Sequence, residues 1–416
     1  MIVKNRQTLL GLSLLAALVL FGGFVLETKE LYYRLLIGLG FGYALARASM
    51  GFAGSVNRLA KTGSSTLASA LLLMFLLTSI ATAFFIYGNE TSYSLKILPI
   101  NMALVIGGLM FGFGMTFSSC CATGSLTDLS SGFSRAIVSV FFLSFGVFMG
   151  FNVQATTGFV KDSLVSSPTG ASFQGGVFLP DLFAFDGFHG YLGAIVVTAI
   201  LTFSFIYLAR NYEKRYNAKH GFVPAQAEAK QVFTKEERLF DVVFVRPWKM
   251  RVSVVVITLL FASLLFLYKK GWSASSDFGM WFGKLLTLFG VNPELLAEFT
   301  HKSADYFTAP LLSHGVTVQN ISIVFGAFFY LLLAGKFKNK FSEGLKISPK
   351  DFFVYAFGAF IMGFGTRLSN GCNVGALYTP IAEFSLSGWL YLVVVVIGGF
   401  AGNYVLKTHI NKTCAL

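Results

Sequence analysis

The chain has 416 residues, of which 55% are hydrophobic and only 12% charged, with 47 phenylalanines, a composition that excludes a water-soluble surface and defines a membrane protein. The formal net charge of +13 does not signal nucleic acid, because the basic residues lie between apolar runs, where they set topology. Four cysteines, two of them vicinal, form no disulfide framework, and five scattered histidines give no metal-ligand spacing with them.

Apolar runs of about 17 to 25 residues recur, each long enough to cross a hydrocarbon core of roughly 30 Å as a helix. The chain therefore reads as an all-α polytopic membrane protein with spans at residues 8–26, 35–57, 65–87, 100–117, 132–157, 188–209, 251–268, 319–335, 351–367 and 386–406. The first follows Lys4 and Arg6, and no small-x-small site follows it at Leu26-Glu27-Thr28, so it is kept as a span and not a signal peptide. With the N-terminus inside, cytoplasmic segments carry Lys4, Arg6, Arg58, Lys61, the basic residues from Arg210 to Arg251 and from Lys336 to Lys350, Lys407 and Lys412. The external segments carry far fewer: Lys29, Arg34, Lys96, Lys161, Lys269, Lys270, Lys284 and Lys302. This asymmetry predicts cytoplasmic N- and C-termini.

Residues 1–209 and 251–416 then form two membrane repeats joined by a basic cytoplasmic linker at 210–250, a solvated connector. Residues 158–187, rich in Gly, Ser and Thr, form an external loop. Residues 271–318 read as short amphipathic segments on the outer face, with Trp272, Trp281 and Phe282 suited to the interface.

Span four leads into Gly112-Phe113-Gly114-Met115-Thr116-Phe117-Ser118-Ser119-Cys120-Cys121-Ala122-Thr123-Gly124-Ser125-Leu126. Span nine leads into Gly363-Phe364-Gly365-Thr366-Arg367-Leu368-Ser369-Asn370-Gly371-Cys372-Asn373-Val374-Gly375-Ala376-Leu377. The two share the frame G-F-G-x-x-x-S-x-x-C-x-x-G-x-L without a gap. By span count the first runs from outside to inside and the second from inside to outside. Antiparallel copies predict inverted-topology repeats around a pseudo-two-fold axis in the membrane plane, with a site near that axis.

Ser118, Ser119, Cys120, Cys121, Thr123 and Gly124, and Ser369, Asn370, Gly371, Cys372, Asn373 and Gly375, place hydroxyl, thiol, amide and small groups where a lipid-facing helix could not satisfy them. Broken or re-entrant helices lining a solute path are expected there, the alternative being close helix packing through small residues. A broken helix offers free N–H groups and the positive end of its dipole, which attract an anion. A neutral thiol is a weak donor and a soft neighbour that contacts an anion without trapping it. Coincidence in both copies selects Cys121 and Cys372 over Cys120, whose counterpart is Gly371, and over Cys414. Arg367, within the second copy, adds positive potential, whereas Arg47 and Arg135 lie near span ends where they can snorkel. Asp128 and Glu383 are candidate partners for such arginines or helix caps, with solute coupling as the alternative role.

At these residues the chain resembles the YeeE/YedE family of bacterial sulfur-transport membrane proteins. The resemblance rests on Gly108-Leu109-Met110-Phe111-Gly112-Phe113-Gly114, Cys121-Ala122-Thr123-Gly124, Met362 to Asn373, and Phe384-Ser385-Leu386-Ser387-Gly388-Trp389. It implies a bacterial cytoplasmic-membrane protein with a fold pinched from both sides, cysteines along the solute path, and a cytoplasmic sulfur-carrier protein as a partner near residues 336–350 or the linker. A third family cysteine falls on Gly51 in Arg47-Ala48-Ser49-Met50-Gly51-Phe52. The implied function is import of thiosulfate or a related small sulfur or selenium species, with no enzymatic activity and no cofactor. The rivals are a membrane thiol oxidoreductase using Cys120 and Cys121, and a channel for another small solute. No G-x-x-x-x-G-K-[ST] loop is present, so ATP-driven transport would need another subunit.

Overall fold

The spacing of apolar and polar residues produces ten helical segments, among those described, that are long and apolar enough to cross a bilayer. The structure is a computed structural model that describes residues 6–221 and 240–410. Lys4, Lys412, Cys414 and, in the linker, Lys230, Lys235, Glu236, Glu237 and Arg238 lie outside the described residues.

In chain order the principal helices are α1 (Arg6–Val25), α2 (Lys29–Arg47), α3 (Phe52–Thr62), α4 (Thr66–Ile86), α5 (Met102–Phe117), α6 (Ala122–Asp128), α7 (Phe133–Thr156) and α8 (Tyr191–His220). They continue with α9 (Met250–Tyr268), α10 (Ser276–Leu288), α11 (Pro293–Thr300), α12 (Gly315–Leu333), α13 (Phe337–Glu343) and α14 (Pro349–Leu368). Then come α15, π-wound over Asn373–Tyr378 and α-helical over Thr379–Ala382, and α16 (Leu386–Val405). Local chemistry sets several starts. Asn101 caps α5, its Oδ1 accepting the Leu104 N–H at 2.9 Å, and Ser348 caps α14 ahead of Pro349, accepting the Asp351 N–H at 3.1 Å.

At the centre, α5 and α14 cross antiparallel through bare backbone. A Cβ on Gly107 would come within 2.7 Å of Gly365 O, and one on Gly358 within 2.7 Å of Gly114 O, so only glycine permits this approach. Around the crossing, α5 packs between α14 and α16, while α14 packs between α5 and α7; outside these, α2 lies on α12 and α9 on α4. The sequence frame that repeats is thus the pair of helices that touch.

Several expectations change. Span six does not end at 209: α8 continues to His220, so the start of the expected linker is helix. Span two is interrupted at residues 48–51, between α2 and α3. Trp272 is not interfacial but fully buried, stacked on Phe41 at 4.0 Å, and Trp281 is half-buried with its Nε1 donating to Thr317 Oγ1 at 3.0 Å. Arg47 does not snorkel. It is buried, donating to Tyr43 Oη at 2.8 Å and to the carbonyls of Arg246 and Val242 at 3.0 Å each, with its guanidinium over the Trp248 ring. It ties the end of the linker to α2.

Candidate functional site

The three interrupted helices share one turn. Ser49, Ser119 and Asn370 adopt left-handed backbone (φ 49°, 58° and 56°), and two residues later Gly51, Cys121 and Cys372 serve as the N-caps of α3, α6 and α15. In both repeated motifs a serine hydroxyl clamps the break. Ser118 Oγ lies 3.0 Å from Gly114 O and 2.9 Å from Cys120 O, and Ser369 Oγ lies 2.8 Å from Gly365 O and 3.0 Å from Gly371 O. Ser118 and Ser369 therefore shape the turn. Gly371 has the same role, since a Cβ there would meet the Gly375 backbone at 2.5 Å.

The breaks bring the two selected thiols together. Cys121 and Cys372 lie within electrostatic reach of one another, and the Ala53 amide at the start of α3 lies against Cys121. The Gly124 N–H donates to Cys121 Sγ at 3.3 Å. Each thiol is 1% exposed and so out of contact with solvent. Asn373 donates to Met115 Sδ at 3.6 Å, but its Oδ1 has no hydrogen-bond partner among the described residues. The same holds for Thr123 Oγ1, and the Tyr391 hydroxyl lies beside Ser369 and within reach of both thiols. Native interiors leave few buried polar atoms without partners, and here two adjoin the thiol-bearing turns. A Cβ on Gly51, at φ −138°, would meet nothing within 4 Å; this break is open where the others carry sulfur. Cys120 points elsewhere, beside Ser139 and the Arg135–Asp128 ion pair. Asp128 thus does pair with an arginine, and Arg135 is held in the fold.

Positive charge gathers beside the second motif. Arg367 is buried, its Nη2 donating to Ser275 Oγ at 3.0 Å and its Nε to Thr366 Oγ1 at 3.2 Å, with the guanidinium over Phe151. Lys302 approaches the same ring. No carboxylate lies within ion-pair distance of Arg367 among the described residues. Asn370 does not face open space, since its Oδ1 accepts from Gln154 Nε2 at 2.6 Å.

Lys96, in the link before α5, is the residue sequence reasoning missed, having been taken for one of the topology charges of the external loops. Its amine reaches the first turn of α15, where a Cβ on Gly375 would lie 3.1 Å from Nζ, and Cys372, Arg367 and Glu383 are within its electrostatic reach. The available signal was a lone lysine in the otherwise apolar stretch Leu95-Lys96-Ile97-Leu98-Pro99. Glu383, in the link between α15 and α16, is fully buried. Its Oε2 accepts the backbone N–H of Lys96 at 2.6 Å, and the Gly271 backbone lies against the carboxyl. Gly271 must be glycine because a Cβ would come within 2.2 Å of Glu383 Oε1. Burial pushes the Glu383 carboxyl up to about 7 and pushes the Lys96 amine down from the ordinary lysine range.

Fold and site together define a multi-pass helical membrane protein with a buried polar centre at broken helices. Residues 47–401 match the family described as Sulphur transport, and the chain belongs to it. It is 29% identical to the Probable transporter YedE of Escherichia coli (strain K12) over 164 residues, a match spanning 38% of this chain and only 39% of that protein. It is 22% identical to the Thiosulfate transporter TsuA of Spirochaeta thermophila over 387 residues, 89% of this chain and 98% of that protein. The Thiosulfate transporter TsuA of Escherichia coli (strain K12) is 20% identical over 92% of this chain and 96% of its own length.

Proposed function

We propose that the chain imports thiosulfate or a related small sulfur or selenium anion across the bacterial cytoplasmic membrane, on a path past Cys121 and Cys372. The observation that carries this reading is the pair of buried polar atoms on Thr123 and Asn373 without partners among the described residues beside two buried thiols, near Arg367 and Lys96, neither of which makes a salt bridge among the described residues. Buried cations that no carboxylate holds in a salt bridge favour an anion. Soft sulfur neighbours suit a solute carrying sulfur or selenium. The relatives' names point to the same solute class.

The two halves act as inverted repeats with re-entrant segments at the motifs, and termini on the cytoplasmic side. Support comes from the exchange of partners about the α5–α14 crossing and from the matched serine clamps. A cytoplasmic sulfur carrier docks on the basic stretch from Lys336 to Lys350, as the family resemblance suggests. An oxidoreductase using Cys120 and Cys121 would need an accessible pair, and both are buried with divergent surroundings.

Uptake of radiolabelled thiosulfate into proteoliposomes tests the reading. The native chain takes it up, and Cys121→Ala or Cys372→Ala each lowers the rate by about tenfold, the equivalent of about 1.4 kcal/mol of lost solute contact. Absence of uptake by the native chain, or unchanged uptake by both variants, overturns it.

A further inference from the structure

Carrying an anion into an inside-negative cell costs about 2.3 kcal/mol per charge for each 100 mV, so a transporter of such a solute gains from binding a cation with it. Glu383 is placed to supply one. Its carboxyl is fully buried, yet its position is fixed by the backbone N–H of Lys96, not by the Lys96 amine. That amine extends away to the first turn of α15 beside Cys372. One residue therefore holds the carboxyl with its main chain and offers its positive charge to the motif with its side chain.

We propose that binding of the solute anion beside Lys96 and Arg367 is coupled to protonation of Glu383. When Glu383 is ionised, it is the internal anion that compensates Lys96, and an incoming anion meets a like charge. When it carries a proton, Lys96 is uncompensated and the carboxyl no longer repels the solute. The balance is simple: one proton from water joins the carboxylate as the anion binds, no bond to the solute forms or breaks, and the proton leaves when the anion does. By linkage, a proton that favours the anion is itself favoured by the anion.

The charged and titratable groups facing Glu383 are few. Lys96, from the link before α5, is the charged group within electrostatic reach of the carboxyl; Arg367 of α14 and Cys372 of the turn before α15 lie within reach of Lys96, and Asp277 of α10 lies within reach of Arg367. Lys269 and Lys270 come from the link after α9, both exposed, with Lys269 Nζ donating to Tyr93 Oη at 3.0 Å. Tyr191 of α8 packs its ring on Phe384 while its hydroxyl donates to Glu90. Burial pushes the Glu383 carboxyl up to about 7, and it pushes the Lys96 amine down. The proposal rests on the transport reading above and adds the proton to it.

Calorimetric titration of the purified full chain with thiosulfate from pH 6 to pH 8, in two buffers of different ionisation enthalpy, tests it. Thiosulfate has no proton to exchange in this range. The expected Kd is level below Glu383's titration and then climbs toward a limit of about tenfold per pH unit, the slope for one linked proton. The binding enthalpy should differ between buffers by the uptake of up to about one proton. Glu383→Gln should bind at pH 8 as tightly as the native chain does at pH 6, with no pH slope, and Lys96→Met should bind weakly throughout. A level native Kd with buffer-independent enthalpy overturns the coupling, as does an unchanged slope in Glu383→Gln. Should that variant fail to fold, the two-buffer comparison on the native chain decides alone. Absence of binding at every pH sinks the solute reading and the coupling with it, whereas binding without a pH slope sinks the coupling only.

Discussion

Gly51, Cys121 and Cys372 hold the same place in three turns, and only two of them carry a thiol. The repeated frame made the two cysteines readable from sequence, because identical positions in two copies cannot both be incidental. It could not reveal that Ser118 and Ser369 are consumed by the turn, since a hydroxyl's partner depends on where the chain bends. Nor could it reveal Lys96, whose role arises from the reach of its side chain across space to α15. The left-handed residue in each turn carries a testable cost. Ser119 sits at φ 58°, where a side chain costs about 1 to 2 kcal/mol relative to glycine. Ser119→Gly should therefore raise stability in detergent by about 1 kcal/mol, and Ser119→Val should lower it, read as opposite shifts in the unfolding midpoint. A fall on Ser119→Gly would mean that its hydroxyl matters more than its backbone.

Among the helices, length and hydropathy were enough to find every long span, because each must satisfy its backbone inside hydrocarbon. The interruption at 48–51 escaped, since Met50-Gly51-Phe52-Ala53 continues an apolar run and hydropathy does not record a turn. The extension of α8 through Asn211, Glu213, Lys214 and Arg215 escaped for the opposite reason: hydropathy marks where the bilayer ends, and a helix is free to continue into water. The α5–α14 crossing depends on bare backbone at Gly107 and Gly358. Gly107→Leu should destabilise the chain by about 3 kcal/mol or more, the upper end of overpacking costs, because backbone atoms cannot yield. Gly54→Ala, whose Cβ would meet only Leu67 Cδ2 at 3.5 Å, should be nearly neutral. Thermal unfolding of the two variants side by side separates a backbone crossing from a general intolerance of larger residues.

For the molecule as a whole, the charge asymmetry and the parity of the span count between the two motifs together suggested halves of opposite orientation. Which helix touches which was not legible, because the partners of α5 come from the far end of the chain. That placement of α5, between α14 and α16, bears on the order of synthesis. The ribosome delivers α5 with its glycine face and its polar break long before either covering helix exists, so the first half waits in the bilayer incompletely buried. Each half is the other's folding template. A chain cut between His220 and Phe240 should accumulate only when both pieces are made in the same cell, each alone being degraded, as quantitative immunoblotting would register. Stable accumulation of the first piece alone would show that it finishes its fold without its partner.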